Sequence, residues 1–417
     1  MLNLVISHIG EADNQVYEKL LVENEEMLFQ VQTGEVQYRG SEGWLDTEKW
    51  AGEGTLRHLE ELAAEIRNRA DIFVLIGVGG SNNAARAAVK ALQKEGGSRI
   101  LYAGNTLSAG ALKRLLGQLS GKSIYLNCIA KNFETLEPGS SFRVLRQWMK
   151  EQYGQQEKER ILCTGTKGSA FQRLCQEQGY RFLEFPEDIG GRYTALSNVG
   201  LLPMAVAGID IRSLVRGARD MQFRLHEEKG RENTAYQYAC LRNAFYRQGF
   251  RVELLSSFEP QFAWFYKWWI QLFAESEGKQ DLGLFPAAGE FSEELHAVGQ
   301  FIQEGTPILF ETFLHVLEHQ EKLVIQPDDL EDGFSYLDGW DFRDINEAAF
   351  QATLKAHGGR LPCILLEIDR IDAFHFGALF YFFQFACAIS CKIMGVNPFD
   401  QPGVEAYKKW MFDALGK

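Results

Sequence analysis

Ile72-Phe73-Val74-Leu75-Ile76-Gly77-Val78-Gly79-Gly80-Ser81-Asn82 is an apolar run of strand length that breaks into glycines, and an Ala-rich segment, Ala84 to Leu92, follows at once. A strand that passes through glycines into a helix opens a parallel α/β unit. Outward from it, Ile100-Leu101-Tyr102, Ile124-Tyr125-Leu126 and Arg160-Ile161-Leu162-Cys163 alternate with segments of helical period. A second set, Val252-Glu253-Leu254-Leu255, Leu323-Val324-Ile325 and Ile364-Leu365-Leu366, follows a helical middle that begins near Ser197. The simplest account is two α/β units in tandem, each a parallel sheet flanked by helices. The expected division is a polar, helical N-terminal region (1–45), a first unit (46–195), a second unit (196–375) and a C-terminal helical arm (376–417).

Composition narrows the class. With 417 residues, 46% hydrophobic and 24% charged, the chain has the makeup of a soluble enzyme of more than one domain. A net charge of -13 removes any general attraction for nucleic acid or an anionic membrane, so an anionic substrate must be held by local donors. Seven cysteines without CxxC spacing fit a reducing cytosol. The start carries no basic stretch of a signal peptide and runs into Glu11, Asp13 and Glu18. One segment, Phe376 to Val396, is apolar enough to suggest a membrane span, but Gln384, Ser390 and Lys392 interrupt it and it reads as a buried core helix. The expected location is the cytoplasm.

The chemistry-bearing residues follow the strands. Gly77 to Asn82 is an anion site in the making, because glycines let the backbone approach a ligand, the first helical turn offers unpaired N–H groups and Ser81 adds a hydroxyl. A dinucleotide fingerprint would put its third glycine at Asn82 and an acidic residue after a second strand, and neither is present. Asp188-Ile189-Gly190-Gly191-Arg192-Tyr193-Thr194 sets an arginine after two glycines, facing either a pocket or solvent. Trp268-Trp269-Ile270-Gln271-Leu272-Phe273-Ala274 runs apolar into Glu275-Ser276-Glu277-Gly278-Lys279. A carboxylate at the end of a buried helix is desolvated, which raises its pKa and suits a general base; a solvated Glu-x-Glu is the alternative. His296 lies in a segment of helical period. His315-Val316-Leu317-Glu318-His319 matches a zinc pattern that requires a helix, whereas the aromatic-rich run before it reads at least as well as a strand.

Together these segments resemble the phosphoglucose isomerase family from about Trp44 to the C-terminus. Gly190-Gly191-Arg192-Tyr193-Thr194 with Leu201-Leu202-Pro203 resembles its arginine signature, and Glu275-Ser276-Glu277-Gly278-Lys279 its catalytic glutamate motif. Leu295-His296-Ala297-Val298-Gly299-Gln300 is similar to its histidine segment, and Gln401-Pro402-Gly403-Val404-Glu405-Ala406-Tyr407-Lys408 to its C-terminal signature. The resemblance implies two Rossmann-like sugar-isomerase (SIS) domains with helical N- and C-terminal extensions, a homodimer with a shared active site, and no metal or organic cofactor.

The activity so implied is interconversion of glucose-6-phosphate and fructose-6-phosphate by ring opening and a cis-enediol intermediate. Lys408, with His296 of the partner subunit, would open the ring; Glu275 would move the proton between carbon 2 and carbon 1. Arg192 would stabilise the enediolate, and Glu137 would orient His296. Gly80, Ser81, Gly191 and Gln401, with Lys131, Asn132 and Thr135, would bind the substrate.

The sequence departs from the family in one loop. A stretch that reads roughly Ser-Lys-Ser/Thr-x-Thr-Thr-x-Glu elsewhere is here Ala130-Lys131-Asn132-Phe133-Glu134-Thr135-Leu136-Glu137. Hydrogen bonds to a charged partner are worth about 1.5 to 3 kcal/mol, so losing two weakens phosphate binding by roughly a hundredfold. This motivates an alternative substrate with a sulfonate at carbon 6, sulfoquinovose, converted to 6-deoxy-6-sulfofructose. A non-catalytic sugar-binding regulator is a third reading, against which Glu275, His296, Arg192 and Lys408 are all present.

Overall fold

Mostly runs of branched and aromatic residues, ten strands form among the described residues: β1 (Asn3–His8), β2 (Ile72–Ile76), β3 (Arg99–Ala103), β4 (Ile124–Ala130), β5 (Ile161–Gly165), β6 (Arg181–Glu184), β7 (Val252–Ser257), β8 (Phe285–Glu290), β9 (Leu309–Val316) and β10 (Cys363–Ile368). The computed structural model describes residues 2–93 and 98–416. The strands make two five-stranded sheets, ordered β3-β2-β4-β5-β6 and β1-β10-β9-β7-β8. All pairings are parallel except that of β1 with β10. Every residue of β2 and β4 is buried, as expected for central parallel strands covered on both faces. The expected class, parallel α/β sheets flanked by helices, is the one observed.

Strand order places the site. In the first sheet β3 lies on one side of β2 and β4 on the other, so the chain reverses its winding there. In an open parallel sheet the crevice beyond the strand ends at such a reversal is where ligands bind. The segments that leave β2 and β4 into that crevice are Gly77–Asn82 and Lys131–Thr135.

Three local expectations need correction. Residues 3–8, taken as part of a helical region, form β1, because pairing with β10 satisfies a backbone that has no helical partner there; the helices Glu11–Glu23 and Glu25–Thr33 follow. Leu323-Val324-Ile325 is not a strand: it makes one bridge, Val324 to Asp341, and Leu323 is 65% exposed, while β9 supplies the sheet's strand. The boundary at 376 falls inside the helix Ala373–Met394, so that segment is core rather than arm. Its most apolar window is 94% buried inside the protein.

That helix organises the core. Asp372 caps its start by accepting from His375 N–H, and Gly395, in the left-handed conformation, ends it. It crosses the helix Ile211–Glu227 backbone to backbone: a Cβ at Gly217 would lie 1.9 Å from the Phe374 carbonyl oxygen, and one at Gly377 1.8 Å from that of Leu214. Phe376, Phe380 and Phe383 pack against Phe265, Trp268 and Trp269 of the helix Ala263–Glu277, all fully buried. Each such side chain contributes about 1.5 to 3 kcal/mol of burial. These aromatic contacts fix the helix that carries Glu275.

Candidate active site

Glycine decides the approach of two loops. A Cβ on Gly80 would lie 2.0 Å from the carbonyl oxygen of Gly191, so only glycine at 80 lets the loop after β2 touch the turn Gly191–Leu196. Thr194 Oγ1 bridges the contact by donating to the carbonyl oxygens of Gly80 (3.1 Å) and Gly191 (2.8 Å). Arg192, next along the turn, is thereby driven inward and is 3% exposed.

Four acceptors surround the buried guanidinium. Nε donates to Ser276 Oγ (2.8 Å), Nη1 to Glu275 Oε1 (2.9 Å), and Nη2 to the carbonyl oxygens of Pro398 (2.6 Å) and Asp400 (3.1 Å). Glu275 and Ser276 sit in the last turn of Ala263–Glu277. The second carboxylate oxygen of Glu275 accepts from Gln271 Nε2 at 3.0 Å, one turn earlier on the same helix. Lys279 ties the same C-terminal segment down through Asp400 Oδ1 (2.7 Å) and the carbonyl of Asn397. A fixed cation beside a carboxylate with about 15% of its side chain open to solvent is an arrangement suited to moving a proton and stabilising the negative charge that results.

The loop after β4 closes on itself. Asn132 Oδ1 accepts from Glu134 N–H (2.9 Å), and the Asn132 carbonyl accepts from Thr135 N–H (3.2 Å). Phe133 stacks on Phe171 with ring centroids 4.1 Å apart, which pins the loop to the first sheet's own core. Lys131 Nζ donates to the Ile189 carbonyl (2.8 Å), joining this loop to the segment that leads into Arg192. Burial of that ammonium, 5.8 Å from the Phe185 ring centroid, lowers its pKa below the usual lysine value. Thr135 precedes the helix Leu136–Tyr153, and Glu137 lies in its first turn.

Of the residues singled out from the sequence, Gly80, Gly191, Arg192 and Glu275 converge through these contacts. Gln401 follows directly on Asp400, and Lys131 reaches Ile189; Ser81, Asn132 and Thr135 border the same crevice on their loops. His296 and Lys408 stand apart: among the described residues no hydrogen bond or ion pair joins either to Glu275 or Arg192. His296 ends an exposed 3-10 turn, Glu293–His296, rather than lying within a helix. Lys408, in the helix Glu405–Ala414, pairs with Glu405 at 2.7 Å. Sequence reading overlooked Gln271, Ser276 and Asp400; helical spacing of four from Glu275 was the available signal for Gln271.

The histidine pair of the zinc pattern is divided. His315 lies in β9, the strand alternative, and pairs with Glu347 (3.0 Å), whereas His319 lies beyond the strand and pairs with Glu259 (3.2 Å). A cavity of about 980 Å³ beyond the ends of β7 and β9, lined by Phe258, Glu259, His319, Arg343 and Asn346 among others, includes none of the site residues above.

A sequence profile described as phosphoglucose isomerase matches residues 60–413. The chain belongs to the phosphoglucose isomerase family. Among its phosphoglucose isomerase relatives, the glucose-6-phosphate isomerase of Alkaliphilus metalliredigens is 44% identical over 389 residues, covering 90% of this chain and 86% of that protein. That of Symbiobacterium thermophilum is 42% identical over 391 residues, covering 91% and 87%. A crystal structure of a glucose-6-phosphate isomerase from Chlamydia trachomatis, 19% identical, superposes with a TM-score of 0.84 over all of this chain and 88% of that one, a likeness of fold. The phosphoglucose isomerase assignment thus agrees with the resemblance read from the four motifs.

Proposed function

We infer that this protein is an aldose-ketose isomerase that interconverts glucose-6-phosphate and fructose-6-phosphate. The observation that carries the reading is the Arg192–Glu275 pair, 2.9 Å apart, which joins the turn Gly191–Leu196 to the last turn of the helix Ala263–Glu277, in a chain of the phosphoglucose isomerase family. Glu275 takes the proton from one of carbon 1 and carbon 2 and returns it to the other, and Arg192 faces the enediolate oxygen that gains charge between the two transfers. Lys131, Asn132, Thr135 and the Gly80-Ser81 turn, with Gln401 and Gly191, hold the substrate.

Ring opening is assigned to Lys408 and to His296 of the partner subunit, oriented by Glu137. The support for a homodimer is that His296 is exposed on its turn and that Tyr407, Trp410 and Leu415, at and just beyond the C-terminal helix, are 53%, 72% and 62% exposed, an apolar face suited to a second copy. A cytoplasmic location fits this chemistry.

The names carried by the relatives favour the phosphate over the sulfonate. What keeps the sulfonate in the assay is that Asn132 already occupies the Glu134 and Thr135 amides, so fewer loop donors face an anion. The test is turnover by the purified protein of fructose-6-phosphate and, in parallel, sulfoquinovose, with Glu275→Gln as control. Turnover of the phosphate sugar that Glu275→Gln abolishes is the expected result. Preference for the sulfonate reassigns the substrate, and inactivity on both returns the chain to a sugar-binding regulator.

A further inference from the structure

Both oxygens of the Glu275 carboxylate are engaged, and the second engagement continues beyond the site. Gln271 Nε2 donates to Glu275 Oε2 (3.0 Å), and Gln271 Oε1 accepts from Asn83 Nδ2 (2.8 Å). Asn83 opens the helix Asn83–Leu92, directly after the glycine loop, so it belongs to the first unit while Gln271 and Glu275 belong to the second. Gly79 makes room for the join: with φ +56°, it would place a Cβ 2.9 Å from Gln271 Nε2.

The direction of this relay follows from valence alone. An ionised carboxylate only accepts, so Gln271 must turn its NH2 to Glu275; its carbonyl oxygen then faces Asn83, which must donate. We propose that Asn83 is a positioning residue for the isomerase: it locks the amide of Gln271 so that a donor, rather than an acceptor, faces Glu275 and holds the base aimed.

This proposal rests on the reading of Glu275 as the base, and it makes a prediction that packing alone does not. An aspartate at 83 cannot donate. It draws the Gln271 NH2 to itself, which swings Oε1 toward Glu275 and sets acceptor against acceptor. That arrangement repels the carboxylate and favours its protonated form, so the acidic limb of the variant's rate profile is expected at higher pH. A leucine at 83 has no preference for either end of the amide, and it removes the lock without inverting it.

The test is the pH profile of kcat/KM on fructose-6-phosphate for the full-length wild type, Asn83→Asp, Asn83→Leu and Glu275→Gln, each first shown to melt cooperatively. The second ionisation of the substrate phosphate, near about pH 6, contributes equally to every profile, so differences report the enzyme. The expected result for Asn83→Asp is an acidic limb moved up by about one pH unit, with kcat/KM lowered roughly tenfold on that limb. For Asn83→Leu, kcat falls severalfold with KM held and the limb moves less. An Asn83→Asp profile that superimposes on the wild type after scaling overturns the proposal, as does parallel loss in both variants without a pH shift. Should Asn83→Asp fail to melt cooperatively, Asn83→Leu decides: unchanged kcat overturns the lock. Full turnover by Glu275→Gln instead removes the reading of Glu275, and the relay with it; an inactive Glu275→Gln beside an unshifted Asn83→Asp removes the relay alone.

Discussion

Arg192 reaches Glu275 with one nitrogen while its other two are held by Ser276 Oγ and the carbonyl oxygens of Pro398 and Asp400, so the cation cannot follow the carboxylate when the carboxylate moves. A fixed charge of that kind stabilises a transition state because no reorganisation is needed as charge develops. Arg192→Lys keeps the charge but loses the fork that occupies all four acceptors. We expect kcat on fructose-6-phosphate to fall by roughly a hundredfold to a thousandfold with a smaller change in KM. Steady-state kinetics check this, and a kcat within threefold of wild type contradicts it.

A second cation bears on stability rather than catalysis. Arg242 is fully buried between Glu277, at 2.6 Å, and Glu253, both also fully buried; Tyr238 and Thr312 donate to Glu253. Removing the cation leaves two enclosed carboxylates without their partner. Arg242→Leu is expected to lower the unfolding free energy by about 3 to 5 kcal/mol, measured by denaturant titration.

Two glycines make opposite predictions. Gly80→Ala drives a methyl group into the backbone of Gly191 and must separate the loops that seat Arg192, so we expect it to destabilise by about 1 to 3 kcal/mol and to depress kcat. Gly117, in the helix Ala109–Leu119, has nothing within 4 Å of an added Cβ, and Gly117→Ala is expected to stabilise by roughly 0.5 to 1 kcal/mol with kinetics unchanged. Thermal melts and kinetics on the pair separate crowding from helix propensity.

Lys131 carries a pH signature. Its lowered pKa means that the ammonium is lost at a lower pH than the value of about 10.4 of an ordinary lysine; in the binding role proposed for Lys131, an anionic substrate then loses its partner as the pH rises toward that lowered value. KM for fructose-6-phosphate should climb on the alkaline side for the wild type. Arg at this position does not deprotonate, and Lys131→Arg should flatten the climb whatever its baseline KM.

The thiols offer a check on packing. All seven cysteines are free and buried. A thiol reagent such as DTNB should modify none of them rapidly in the native protein and all seven after denaturation; rapid labelling of any one before unfolding contradicts its placement.

What the sequence determined by itself is the α/β class, the glycine loops and the residues around Glu275 and Arg192, because each is written locally. An apolar run such as Ile72 to Ile76 makes a buried strand wherever it sits, and glycines between a strand and a helix announce a tight turn. The aromatic run at 376 to 383 likewise announced its burial, since a stretch interrupted by Gln384 and Lys392 suits a protein core. What only the tertiary structure decided is which loops touch. Gly80 meets Gly191 across 111 positions of sequence, Asn83 meets Gln271 across 188, and Arg192 meets Glu275 across 83. Such pairings depend on strand order and on the angle at which helices cross, and neither leaves a periodic trace in the chain. For the same reason β1 was hidden: its six residues become a strand only because β10, some 360 positions later, offers an open edge of hydrogen-bonding groups.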